Sequence, residues 1–383
     1  MSQQVAKKYY EEPEASGPPP AEVGEAPRSA TKTILQMTAR GILAVAVCLA
    51  VLELPPRVLH WWKAPLLPYY FEQGATMLPR NYDSKVSFYG SPTVRYTTDS
   101  WGARISHPAL AAERLQDGVF VLGDSQMLGY MVDFHQTFAS RVAAALTGDA
   151  DAARLLAAPA SHPETLGPAL HEYAPLKLEK QRLAVVGLNL GNDLDEMYDN
   201  AITGKHQTGA LEKWLLRNSF LYMDMVLLRS HWLKPGNAPP GINPIFYMLD
   251  AQERVILARE AARILDELLN DPAIEADHKV LVIIPADIQV DLAAFLKYRR
   301  YYPSEAEFNK WNQQVFAAAA TMNAVEEYVA RQMERRGHKV IRFSKLVPQG
   351  GGAGLFDETS HHITAEGHAL LAQAILDAVR SGD

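Results

Sequence analysis

The chain has 383 residues, 48% of them hydrophobic, enough to bury a large core in one or two domains. Its net charge of −7, with no basic run and no aromatic–basic interleaving, excludes nucleic acid as the expected partner. Cys48 is the only cysteine, so no intrachain disulfide is available, which suits the cytoplasm and equally a periplasmic domain that needs no covalent staple.

Residues 1–33 carry Pro13, Pro18, Pro19, Pro20 and Pro27 among Glu, Ala, Ser and Gly, a composition that cannot build a packed core and reads as a disordered tail. From Ile34 to Leu54 the sequence is apolar over about the twenty residues that a membrane span requires. Arg40 lies one turn inside and can snorkel to the interface, and Glu53 stands at the opposite edge. The long preceding tail and the lack of a small-x-small site argue against a cleaved signal, and Val47 before Cys48 argues against a lipoprotein signal. A buried core helix is the competing reading. Pro55-Pro56 reads instead as a helix end, and Trp61-Trp62 with Tyr69-Tyr70 as an interfacial aromatic belt, which places a single span at 34–56. Arg28, Lys32 and Arg40 precede it, against Arg57 and Lys63 after it. That bias predicts a single-pass inner-membrane protein with its N-terminus in the cytoplasm and its large domain periplasmic or otherwise extracytoplasmic.

Residues 57–115 are expected as a linker and lead-in segment, and 116–383 as the main domain. In the latter, five apolar runs of strand length alternate with helical segments: Val119 to Leu122, Leu155 to Ala157, Leu183 to Leu188, Val280 to Ile284 and Val340 to Phe343. Between them, Phe138, Val142 and Leu146, then Leu257, Ala261, Leu265 and Leu268, then Trp311, Val315, Ala319 and Met322 each recur at helical spacing. Thr364 is placed to cap a last helix whose Leu371, Ile375 and Val379 face inward. The pattern predicts an α/β fold: a doubly wound, parallel, five-stranded sheet flanked by helices, flavodoxin-like. Residues 196–250 read as a packed helical hairpin rather than a moving lid, broken by prolines and glycines from Pro235 to Pro244, and Gly350–Gly354 reads as a loop rather than a phosphate cradle.

Three segments carry chemistry. Gly123-Asp124-Ser125 ends the first strand and can expose a serine; Leu190-Gly191-Asn192-Asp193 follows the third; Asp357-Glu358-Thr359-Ser360-His361-His362 precedes the last helix. In chain order they supply a hydroxyl, an amide donor, a carboxylate and an imidazole, the parts needed for acyl transfer. Ser125 and Asn192 both fall beyond C-terminal strand ends, where such folds bind ligands. The histidines at 361, 362 and 368 lack a paired carboxylate or histidine at helical spacing, so no metal site is expected, and no cofactor.

These segments resemble the ordered blocks of the SGNH (GDSL-type) hydrolase superfamily, over roughly residues 85 to 380. The first block matches through Gly-Asp-Ser and Gly129. The third retains Asn192 and Asp193 with Leu190 in the usual glycine position. In the last, register with Gly367 selects His362 as the family histidine while Thr359 stands where an aspartate belongs, so Asp357 or Glu358 takes that part and His361 stays an alternative. The second block, Ala157 to Thr165, contains no glycine, leaving the backbone of Ser161 or His162 as the donor expected from it. Tyr96–Arg104 is similar to the lead-in of membrane-tethered members that modify cell-surface polysaccharides. The resemblance implies a serine esterase with Ser125 as nucleophile, His362 as base and Asp357 orienting it. Asn192 and the Ser125 backbone N–H would form the oxyanion hole, and the substrate would be small O-acyl, foremost O-acetyl, esters of an acylated carbohydrate. An O-acyltransferase using the same site, and a non-catalytic glycan-binding or scaffold protein, are the alternatives.

Overall fold

The structure, a computed structural model, describes residues 28–63, 67–72, 74–87, 93–194, 196–197, 210–222, 224–225, 251–291, 296, 299, 304–348, 351–358 and 360–381. Two compact units divide the chain, Met1–Leu52 and Glu53–Asp383. In the first, residues 28–52 are helical, with Ile34, Leu35, Ile42, Leu43 and Val45 exposed; the proline-rich tail before residue 28 lies outside the described residues. The helix, α1 (Arg28–Lys63), contains the stretch Lys32–His60, which is long and apolar enough to cross a membrane by length and composition, with mean hydropathy 2.1.

Two expectations about the end of this helix need correction. Pro55 and Pro56 lie inside α1 rather than ending it. Proline's fixed φ is itself helical, so the cost is two missing N–H donors, and contacts made by the turns on either side hold the backbone in place. Glu53 accepts from the Ser219 hydroxyl at 2.6 Å and the Phe220 N–H at 2.7 Å, and His60 Nε2 lies 2.8 Å from Asp224. Tyr70, expected at a membrane interface, is buried in strand β1 (Tyr70–Glu72), which pairs with β2 (Ala75–Met77). The side chains of Trp61 and Trp62 lie outside the described ones.

The second unit is built on one eight-stranded sheet. Five parallel strands, β6 (Val119–Gly123), β7 (Ala153–Ala157), β8 (Gln181–Asn189), β9 (Ala276–Ile284) and β10 (Lys339–Arg342), stand in the order β10-β9-β8-β6-β7 and coincide with the five expected apolar runs. Beyond β7 the sheet continues antiparallel through β5 (Arg104–Ile105), β4 (Thr93–Thr98) and β3 (Asp83–Ser87). The segment read as linker and lead-in therefore contributes three strands of the same sheet.

Alternation along the parallel strands explains why both faces are covered. Phe120, Leu122, Val186, Leu188, Leu281 and Ile283 face one core, against α4 (Pro163–Lys177), α6 (Ala251–Asn270) and α8 (Glu305–Arg335). Val119, Val121, Leu183, Val185, Val280 and Val282 face the other, against α3 (Phe138–Thr147) and α9 (Ala365–Arg380). A strand apolar on both faces needs helices on both, which is the doubly wound solution. The short helices α2 (Ser125–Leu128) and α7 (Asp287–Val290) follow β6 and β9, and α5 (Ala210–Asn218) exposes Leu211 and Trp214. Most of the expected hairpin, including Pro235 to Pro244, lies outside the described residues, as does Gly350 of the glycine loop. From β6 the chain adds β7 on one side and then β8 on the other, so the crevice beyond β6 and β8 is the switch point where ligands enter such sheets.

Candidate active site

Strand β6 delivers its serine through a short, tightly capped turn. Asp124 is the N-cap of α2, its carboxylate accepting the Gln126 N–H at 2.9 Å and the Met127 N–H at 3.4 Å. Ser125 occupies the first helical position, whose N–H has no acceptor within the helix. Met127 lies flat across β6 and β8 because Gly123 and Gly187 lie beneath it: a Cβ at either would come within 2.3 Å of its side chain. Gly129, with φ +69°, ends the helix in a left-handed cap.

The histidine segment comes to meet this turn. His362 Nε2 lies 3.0 Å from Ser125 Oγ, and both residues are buried. The neighbour of the serine secures that contact: the Gln126 amide donates to the His361 carbonyl at 2.8 Å and accepts the Ile363 N–H at 3.0 Å, bracketing His362 from both sides. The loop is closed by a bridge between Phe356 and Ile363, with the Asp357 N–H donating to the His362 carbonyl at 2.8 Å. His362 Nδ1 lies 3.3 Å from the Ser360 hydroxyl. Of the two adjacent histidines, His362 meets the serine; His361 packs its ring 4.2 Å from that of His362.

The end of β8 adds a polar network. Asn189 Nδ2 donates to Asp124 Oδ2 at 2.7 Å and to Asn192 Oδ1 at 2.5 Å, while the Asn189 N–H donates to Asp193 Oδ2 at 2.8 Å. Asn192, half-buried, gives one Nδ2 hydrogen to Glu196 Oε1 at 3.0 Å, and its second has no acceptor among the described residues. Burial pushes the Asp124 carboxyl up to about 6, against the lowering effect of its bonds from Asn189, Met127 and Gln126. Burial, with the Asp124 and Glu196 charges added to it, pushes Asp193 well above the usual carboxylate range. His368 is turned away from this cluster. Its Nδ1 accepts the Phe138 N–H at 3.3 Å, and burial, with Arg104 and Arg141 adding to it, pushes its imidazole down to about 3.

The second block departs from expectation. The Ser161 N–H is given to the Ala158 carbonyl at 3.2 Å and that of His162 to the Thr165 hydroxyl at 3.0 Å, so neither backbone donor is open to a ligand. Ala160 is the unusual residue there, with φ +60° in the left-handed region that favours glycine. A residue without a β-carbon is what that backbone prefers, and the strain of keeping alanine costs about 1 kcal/mol. Nothing in the sequence alone marks Ala160, Gln126 or Asn189. The signal available was proximity, since Gln126 adjoins the serine and Ala160 falls in the glycine-lacking block.

No family model and no curated protein matches the chain. The solved structures similar to it include a catalytic mutant of an acetylxylan esterase from Geobacillus stearothermophilus, 12% identical, covering 70% of this chain and 96% of that one with a TM-score of 0.35. A member of the lipolytic protein G-D-S-L family from Veillonella parvula is 11% identical, over 68% and 96%, with a TM-score of 0.32. An alpha/beta hydrolase enzyme from the metagenome of Lake Arreo, Spain, is 13% identical, over 70% and 96%, with a TM-score of 0.36. At such scores the likeness says nothing about chemistry, which has to come from the atoms of this chain.

Proposed function

We propose that the protein is a membrane-anchored serine esterase that cleaves small O-acyl esters through an acyl-serine intermediate. The observation that carries this reading is the 3.0 Å contact between Ser125 Oγ and His362 Nε2 at the switch point of a doubly wound sheet. Ser125 Oγ attacks the acyl carbonyl carbon while His362 Nε2 takes its proton. The tetrahedral intermediate then expels the alcohol, which leaves with that proton. Water, deprotonated by the same imidazole, attacks the acyl-serine; the acid departs and the serine is restored. Asp357 is assigned to orient the imidazole. The Ser125 N–H, the Ala160 N–H and the free Nδ2 hydrogen of Asn192 are assigned to the oxyanion, because each belongs to the residues gathered beyond β6, β7 and β8.

The substrate assignment is an acetylated carbohydrate at the cell surface. It draws on the resemblance of the sequence blocks and on the Lys32–His60 helix, which supplies a tether with the domain from 116 onward outside the cytoplasm and residues 1–33 within it. An acyl-serine resolved by a sugar hydroxyl instead of water would make the protein an O-acyltransferase, and product analysis with and without an acceptor sugar separates the two.

The test is covalent labelling of the full chain in detergent by a fluorophosphonate, with the modified residue identified by mass spectrometry. Labelling on Ser125 that Ser125→Ala and His362→Ala abolish is the expected result. A wild-type protein that takes no label at Ser125 and hydrolyses no acetyl ester would sink the reading and leave a non-catalytic scaffold.

A further inference from the structure

One aromatic ring lies against the base without belonging to any of the sequence blocks. Tyr130 follows the left-handed cap at Gly129, and its ring centroid is 4.7 Å from that of His362 at an interplanar angle of 34°. Three grips hold the backbone under this ring. The Tyr130 N–H donates to the Ser125 carbonyl at 3.2 Å, and its own carbonyl accepts the Tyr96 hydroxyl. On either side, Arg104 Nη1 donates to the Leu128 and Gly129 carbonyls at 2.8 Å each, and Nη2 to Val132 at 2.8 Å. Arg104 is fully buried and lies with its guanidinium 4.3 Å from the centre of the Tyr96 ring. Glycine is required at 129 for this geometry, since a Cβ there would come 2.6 Å from Thr137 and 3.3 Å from Arg104 Nη1, on a backbone already at φ +69°.

A guanidinium spanning carbonyls of a single loop, with a tyrosine hydroxyl taking the carbonyl between them, fixes where the Tyr130 ring stands. The electron-rich face of that ring has two consequences for a neighbouring imidazole. It restricts rotation away from Ser125, and it favours the imidazolium that forms when the serine gives up its proton.

We propose that Tyr130 is a positioning residue for the base: clamped by Tyr96 and Arg104, it holds the His362 imidazole on Ser125 and stabilises its protonated form. This rests on the esterase reading above. It also assigns the antiparallel strands β4 and β5, which carry Tyr96 and Arg104, a part in the chemistry.

The experiment measures two things on the full chain in detergent: the pH profile of kcat/KM for an activated acetyl ester, and the NMR titration of His362. Removing the ring lowers the imidazole's pKa, so the base stays unprotonated to lower pH. Tyr130→Leu is expected to move the acid limb and the NMR midpoint down together, by up to about one pH unit, while kcat falls more than KM changes. Tyr130→Phe keeps the ring and is expected to restore both. A limb and midpoint that stay in place while activity falls would show a merely structural residue and overturn the proposal, as would unchanged activity. Should Tyr130→Leu not fold, Tyr96→Phe decides, because it deletes only the hydroxyl that holds the Tyr130 carbonyl: a smaller shift in the same direction supports the clamp, and none overturns it. If the wild type proves inactive, the esterase reading fails while the NMR midpoint still tests the contact between ring and imidazole.

Discussion

The sheet has two halves that serve the site in different ways. Its parallel half, β6 to β10, ends in the loops that bring Ser125, Asn189, Asn192 and the histidine segment together, so the atoms assigned to the chemistry come from strand ends. Its antiparallel half, β3 to β5, supplies no reactive atom, yet Tyr96 and Arg104 reach from it into the loop behind the serine. The first half works through loops that meet at the crevice beyond the strand ends; the second works from behind the serine, through a buried side chain and hydroxyl that hold loop carbonyls. A single change should therefore cost activity without stability in one half, and both in the other.

The largest effect tests the first half. Ser125→Ala and His362→Ala should each lower kcat/KM for an activated acetyl ester by about a thousandfold or more, and the double variant little further, because members of a catalytic unit are not additive. Thermal melting should stay near wild type for Ser125→Ala. His361→Ala should keep most activity, since it leaves in place both the carbonyl that Gln126 holds and the His362 contact with Ser125. Should His361→Ala be the dead variant, the assignment of the base is wrong.

Arg104→Met breaks the second half. It takes the guanidinium donor from three buried carbonyls, of which Gly129 keeps the Val132 N–H, and at about 1–3 kcal/mol for each of the other two the loss measured by urea denaturation should reach several kcal/mol. A loss under about 1 kcal/mol would mean that the loop keeps its shape without the clamp, and the contrast between the halves would fall.

A pH experiment sharpens the comparison. The folded-state pKa of Asp124 is raised from 3.8 to about 6, so the native state holds the extra proton and this group makes the protein less stable as pH rises through that window. His368 works in the opposite sense. Its folded pKa falls from 6.5 to about 3, so stability is lost as pH drops below 6.5, where the unfolded imidazole charges and the buried one does not. Between about pH 4 and 6 the two slopes, each about 1.4 kcal/mol per pH unit at most, oppose one another. Asp193, raised in the same sense as Asp124, adds to the falling slope, so in denaturation across that range, relative to the wild type, His368→Phe should make stability fall more steeply with pH and Asp124→Asn should make it fall less. Parallel profiles for all three proteins would show that one of these groups is not buried as described.

The smallest effect belongs to the end of β7. Ala160→Gly relieves the left-handed backbone and is expected to stabilise by about 0.5–1 kcal/mol with activity retained, as read by melting temperature and turnover. A destabilised Ala160→Gly would mean that the alanine methyl makes a packing contact worth more than the strain.

The parallel half was legible in the sequence because each of its strands is a run of apolar residues, covered on both faces and bounded by turns. The meeting of Ser125 with His362 was legible from the order of the blocks and from register with Gly367, while the spacing left Asp357 and Glu358 both open. The antiparallel half was not. Its strands are two to six residues long and mix Lys85, Arg95 and threonines with buried positions, so periodicity has little to work on. Arg104 was hidden for a different reason. A lone arginine in a polar stretch reads as surface, and only the four carbonyls around it show why it is inside. The double proline in α1 misled in the other direction: a strong local stop signal gives way when tertiary contacts fix the turns on either side of it.

The Gln126 amide that brackets His362 ties together residues 235 positions apart in the chain. A protein made from its N-terminus onward exposes Ser125 long before the residues that activate it exist in folded form, and pairing so distant in sequence is slow to close. Until α9 and the loop before it dock on β6, the serine is an ordinary alcohol in an unfinished crevice. On the esterase reading proposed above, hydrolytic activity would report that these distant segments have docked, and a chain carried across a membrane unfolded would carry no reactive serine through it.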